Sequence, residues 1–261
     1  MLLRKQDGDL IAIGQSSHSW ISGQLARAWG NPRFGGVEPY EEVSLAAEQH
    51  DIGMSLWDLS PSRNPSTGFP QSFMEMALDT HLRLWSAAPQ RLLTQSRYAA
   101  LLVSMHGCRL YEMRDLDRLR PSEARAVRAY FKEQRSFQQE VLASLRSDPA
   151  VAGSATPELV ARNSQLIWTW DYLSLALCLD WAPCTLRAVP SATGPADLEL
   201  SGQPGHRRLG LEPWPFCRAE VVVRCEGRRL TRRSETDEAM REALARARSE
   251  TVVFELSARE P

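Results

Sequence analysis

The sequence predicts a mainly α protein, with a helical bundle over residues 1–182 and a small C-terminal β-rich, α+β appendage over residues 183–261. Three observations lead there. Between residues 15 and 181 the hydrophobic positions recur mostly at helical spacing, broken by Pro-, Gly- and Asn-rich stretches at 30–39 and 60–70. After Pro183 the pattern changes to short alternating runs rich in β-branched residues. The chain has 261 residues and is 43% hydrophobic, enough to fill a sizeable core.

Taken in order, the first region should form about six helices, since each periodic segment ends at a cluster of turn residues. The second should form strands near 185–189, 197–200, 219–224 and 251–256. Between the last two, residues 234–248 carry Ser/Thr capping candidates, acidic residues early and arginines late, which suits the helix macrodipole and predicts one exposed helix.

A formal net charge of −1 gives no general attraction to phosphate backbones or anionic membranes, so no nucleic-acid partner and no membrane partner are expected. Arg228, Arg229, Arg232 and Arg233 form a basic cluster that reads as a solvated turn before a helix. Lys5 and Lys132 are the only lysines, which removes most candidates for a catalytic amine. The five cysteines lack a Cys-x-x-Cys pair, and two of them lie in apolar surroundings as reduced core thiols do. Together with the absence of a signal-like or spanning apolar run, this predicts a cytoplasmic setting.

Four of the five histidines, His18, His50, His81 and His106, lie on different expected helices or helix ends. His18 shares a face with Ile21, Leu25 and Trp29, and His50 with Val43, Ala46 and Ala47. His81 follows the same spacing with Met74, Leu78, Leu84 and Trp85, and His106 with Ala99, Leu102 and Val103. All four are thus expected to point inward. One inward histidine is ordinarily a core residue bonded to a carbonyl, whereas four in one helical layer require something that satisfies them together. Asp51, directly after His50, and Asp171, on the apolar stripe of Ile167, Ser174 and Cys178, add two inward carboxylates that would not be stable unpaired. A metal centre meets both requirements.

The motif His50-Asp51-Ile52-Gly53 resembles the signature of the HD-domain superfamily, and the order His18, His50-Asp51, His81, His106, Asp171 is similar to its two-metal subgroup. The resemblance covers about residues 15–181. The stretch 15–31, the loop 67–70 and the run Ser104-Met105-His106-Gly107 also resemble an uncharacterised bacterial family, domain of unknown function 3891, which brings no known activity. The superfamily resemblance implies an HD-like helical bundle and two divalent metal ions, iron or manganese in the first place. His18, His50 and Asp171 would hold one ion, His81 and His106 the other, and Asp51 would bridge them. Asp51, His81 and His106 are the residues expected to act in catalysis.

Most proteins that resemble this pattern are phosphohydrolases, which makes hydrolysis of a small phosphorylated metabolite or nucleotide the leading expectation. A mixed-valent di-iron oxygenase acting on a small polar or phosphonate-like substrate is the alternative, and a non-catalytic metal-stabilised binding module the third. Met54 stands where many two-metal members carry lysine, and no Tyr-Pro signature follows His81, so a small molecule is expected over a cyclic dinucleotide. Outside the ligands, Gln15 one turn before His18, Asn64 and Thr67 in a loop positioned to cover the metals, and Arg109 and Arg114 after His106 are candidates for substrate contact or ligand support. The oligomeric state is not legible in the sequence.

Overall fold

The computed structural model describes residues 1–258. Seven strands, β1 (Leu2–Gln6), β2 (Asp9–Ile13), β3 (Cys184–Ser191), β4 (Gly194–Ser201), β5 (Arg208–Glu212), β6 (Glu220–Leu230) and β7 (Arg248–Ser257), form one sheet in the order β1-β2-β6-β7-β5-β4-β3. Every pairing is antiparallel except β5 with β7. The helices are α1 (Gln15–Ala28), α2 (Tyr40–Gln49), α3 (Ser55–Leu59), α4 (Leu78–Ala87), α5 (Arg97–Glu112), α6 (Pro121–Arg146), α7 (Pro157–Leu179) and α8 (Asp237–Arg246).

The architecture is therefore α+β, which corrects the expectation of a mainly α protein with a small β appendage. The sheet is a full layer of the molecule, and its first two strands come from the N-terminus. They form a tight hairpin because Asp7 and Gly8 both take positive φ, 52° and 86°, as a two-residue turn between right-twisted strands requires. Alternation then divides the hairpin's side chains between the faces. Leu2, Ile11 and Ile13 join the main core, whereas Met1 and Ala12, with Leu3 and Leu10 against them, join a smaller cluster under α8.

The main core lies between the helices and one face of the sheet. It runs without a break from Ile21 and Leu25 of α1 and Leu173 and Leu177 of α7 to Val223, Cys225, Phe254 and Leu256 of β6 and β7. Helical and sheet residues on either side of residue 182 thus share one interior. Arg4 of β1 strengthens this union. Its guanidinium is buried and donates to the carbonyl oxygens of Leu177 at 2.7 Å and Cys178 at 3.3 Å, with Asp180 at 3.6 Å. A cation at these carbonyls complements the negative end of α7.

The four expected strands and the exposed helix at 234–248 correspond to β3, β4, β6, β7 and α8, while β1, β2 and β5 were not anticipated. Arg228 and Arg229 lie within β6 rather than in a turn, and Arg229 is held by Glu250 at 2.6 Å and Asp9 at 3.0 Å. Among the described residues all five cysteines are free, and no helix is long and apolar enough to cross a membrane.

Candidate metal centre

Five of the six expected ligands meet where four helical segments converge. α1 begins directly after β2 and carries His18 one turn in, while α2 ends at His50, which is its C-terminal cap. Asp51 follows at the start of a 3₁₀ turn, His106 lies in α5, and Asp171 lies in the middle of α7. Gly53 sets the fit of this turn. A Cβ there would collide with the Leu84 carbonyl of α4 and come within 3.0 Å of Ala88 Cβ, so the glycine of the motif lets Asp51 sit beside α4.

The imidazoles form a row, His18 to His50 and His50 to His106, with ring centroids 5.1 and 5.0 Å apart. His18 Nε2 is 2.7 Å from Asp51 Oδ2, His50 Nε2 is 3.1 Å from Asp171 Oδ1, and His106 Nε2 is 3.4 Å from Asp171 Oδ2. Two groups of donor atoms lie within 4.8 Å of one another: His18, His50 and Asp51, and His50, His106 and Asp171. All five residues are buried. The carboxylates pair with the histidines differently from the resemblance-based partition, because Asp171, not Asp51, approaches His106.

The outer nitrogens of two rings are fixed by the protein. His50 Nδ1 donates to the Ala47 carbonyl at 2.8 Å. Ser174 donates its hydroxyl hydrogen to the Asp171 carbonyl at 2.8 Å and so accepts from His18 Nδ1 at 2.9 Å. Both rings therefore turn Nε2 toward the carboxylates. This is the orientation that supported ligand histidines adopt. His106 Nδ1 is buried without a partner among the described residues.

The electrostatics follow from the burial. Desolvation by itself would lower His50, yet the charges of Asp171 and Asp51 outweigh it and raise the ring to about 9. Burial would likewise raise Asp171 and Asp51, but the neighbouring histidines, His50 foremost, hold both carboxyls below their ordinary range. Two carboxylates this deep demand positive charge close by, from imidazolium rings or from a bound cation.

His81 stands apart. It is half-buried on α4, whose core positions are Leu82 and Trp85, and the Met74 assigned to its face is exposed and belongs to a separate 3₁₀ turn. Its Nδ1 is hydrogen-bonded to the Tyr111 hydroxyl, and its Nε2 accepts from the Trp85 indole at 3.2 Å. Burial lowers its pKa to about 4, with Arg114 acting in the same direction and Asp51 opposing. It does share a cavity of about 190 Å³ with the inner cluster, lined also by Gln15, Phe73, Met74, Trp85, Leu110, Arg114 and Leu175.

Gln15 and Arg114 line the cavity, and the Gln15 Oε1 is buried without a hydrogen-bond partner among the described residues. Arg109 is not in its lining and instead stacks its guanidinium on Trp168 at 4.6 Å. Asn64 and Thr67 do not cover the site either. Asn64 Oδ1 accepts from the backbone of Ser66 and Thr67 to build a turn, and that loop is tied to the region of α8 through Gly68 with Ser234 and Arg63 with Asp237. Phe73, the last residue of the loop expected at 57–73, and Met74 after it provide the wall. Ser174, Tyr111 and Ala47 were missed as supports. Ser174 was visible in the sequence on the Asp171 stripe, one turn along, whereas a backbone acceptor such as Ala47 leaves no residue-type signal.

Fold and site together define an α+β protein with a buried histidine–aspartate centre at the floor of a small pocket. The profile of the family described as Protein of unknown function (DUF3891) matches residues 1–232, and the chain belongs to that family. No curated protein and no solved structure matches it.

Proposed function

We propose that this chain is a metal-dependent hydrolase of a small phosphate ester. The observation that carries the reading is the convergence of His18, His50, His106, Asp51 and Asp171, all but His50 lining a cavity with Arg114 in its wall. The donor set fits a cation, because the buried carboxylates need compensation and two rings already direct Nε2 toward them. Imidazole with carboxylate suits iron or manganese as well as zinc. The resemblance to the HD-domain superfamily points the same way.

When bound, a divalent cation supplies charge neutralisation for a phosphoryl oxygen and lowers the pKa of a nearby water. The protein's own groups do the rest. Ser174 and the Ala47 carbonyl hold two rings with Nε2 already turned toward the carboxylates, whose direct contacts with those nitrogens a bound cation would replace. Arg114, whose guanidinium lies over the Tyr111 ring at 5.0 Å and makes no carboxylate ion pair among the described residues, is available to an anionic substrate group. Gln15 Oε1 offers an acceptor to a substrate hydroxyl or a water. Phe73, Met74, Leu110 and Leu175 exclude bulk water, and a cavity of about 190 Å³ selects for a small ligand.

The test is turnover of a panel of phosphomonoesters and nucleotides by protein loaded with Mn²⁺ or Fe²⁺. Chelator-sensitive phosphate release that His50→Ala abolishes is expected. Metal-loaded protein that releases no phosphate from any of them would overturn the hydrolytic reading, and substrate-dependent oxygen consumption in its place would assign the chain to oxidative chemistry.

A further inference from the structure

We infer that this centre is built for one metal ion, and that His81 belongs to the wall of the pocket rather than to the metal. The inference rests on the metal-dependent reading given above. A ligating imidazole must present an unprotonated nitrogen, and the bond made by the opposite nitrogen decides which one that is.

At His18 and His50 the Nδ1 hydrogen is taken up by Ser174 Oγ and the Ala47 carbonyl, so Nε2 is free to face inward. At His81 the arrangement is reversed. An indole N–H can only donate, so the Trp85 hydrogen bond at 3.2 Å occupies the lone pair of His81 Nε2. The ring proton is then on Nδ1, where it is donated to the Tyr111 hydroxyl. Neither nitrogen is left for a metal. Turning His81 toward one would also strand the Trp85 N–H in a side chain that is 2% exposed.

The inner donors lead to the same count. The two donor groups share His50, which has a single lone pair once Nδ1 donates to Ala47 and therefore serves one ion. An ion that does without His50 retains two protein donors from either group, one histidine and one aspartate. The structure thus offers one well-furnished position. His81 instead acts as a positioning residue: it holds Tyr111, and the Tyr111 ring carries Arg114 at the cavity.

The experiment is metal analysis by plasma mass spectrometry after loading with excess Zn²⁺ and gel filtration, on wild type, His81→Gln and His50→Ala. A companion long-range ¹H–¹⁵N spectrum of wild-type histidines is recorded before and after zinc. One ion per chain is expected in wild type and in His81→Gln, and none in His50→Ala. Zinc should move the His18 or His50 Nε2 resonance while His81 Nε2 stays at its hydrogen-bonded position. Two ions in wild type, falling to one in His81→Gln, would overturn the inference while leaving the hydrolytic reading intact. No bound ion would overturn both. If His81→Gln does not fold, the wild-type ion count and spectrum decide alone, and a metal-shifted His81 Nε2 refutes the proposal.

Discussion

Replacing Ser174 with Ala removes one oxygen atom from a fully buried position and leaves the first coordination shell chemically untouched. That oxygen accepts from His18 Nδ1 at 2.9 Å and donates to the Asp171 carbonyl at 2.8 Å, so it connects two candidate ligands. Without it the His18 Nδ1–H is buried without an acceptor in hydrogen-bond range, since the Asp171 Oδ1 oxygen stands 3.8 Å away, a loss on the order of 1–3 kcal/mol. The ring is then free to change tautomer or turn, and metal affinity should fall by about 10- to 100-fold, as for other lost ligand supports. The assay is a competition titration of Zn²⁺ against a chromophoric chelator, with urea denaturation of the metal-free protein alongside. Ser136→Ala, which removes a bond to Glu140 on the exposed face of α6, is the control and should change neither value. An affinity for Ser174→Ala within about twofold of wild type, in protein that melts normally, would refute the claim that Ser174 orients a ligand.

Three further outcomes are expected. Stripping metal with a chelator should lower the melting temperature: an ion present at about 100 times its Kd contributes about 2.7 kcal/mol, or about 5–10 °C for a chain of this size, and an unchanged melting curve would count against a bound ion. Gly53→Ala places a Cβ against the Leu84 carbonyl and 3.0 Å from Ala88 Cβ, so urea unfolding should show a loss of about 1–3 kcal/mol, with unchanged stability contradicting the close approach. Arg4→Ala removes the charged donor from the last carbonyls of α7 and should cost about 1.5–3 kcal/mol in the same measurement. A negligible effect would mean that the N-terminal hairpin is not anchored to the helical layer.

The inner site was legible because its signal is local and repeated. Each of His18, His50, His106 and Asp171 sits on an apolar stripe at helical spacing, and the structure buries all four. His81 does face the cavity beside the core residue Trp85, and only Met74 falls off its expected stripe, because the chain breaks into a 3₁₀ turn before α4 begins; that its two nitrogens are taken up by Tyr111 and Trp85 leaves no trace in periodicity. The sheet was underestimated for a different reason. β1 and β2 are five residues each, too short for alternation to stand out, and β1 carries Arg4 in a core-facing position. Asp7-Gly8 between two apolar runs was the available sign of a hairpin. What no single-sequence pattern conveys is that residues 2–13 join the sheet through a strand more than two hundred residues later, since Ile13 of β2 pairs with Gly227 of β6. The place of the 57–73 loop between two ligands suggests a cover, and its end, Phe73, does line the cavity, whereas turn hydrogen bonds and contacts near α8 hold Asn64 and Thr67 outside the lining.

Everything proposed for this site depends on whether the buried His/Asp cluster takes up a cation. The measurement is a crystal structure of metal-loaded protein with anomalous diffraction collected at that metal's absorption edge. A peak is expected within about 2.0–2.2 Å of His50 Nε2 and at bonding distance from Asp51 or Asp171, with Ser174 and Ala47 still holding the outer nitrogens. A centre without a peak, its His18–Asp51 and His50–Asp171 pairs still in direct contact at millimolar metal, would contradict that expectation and make the cluster a buried ion-pair network.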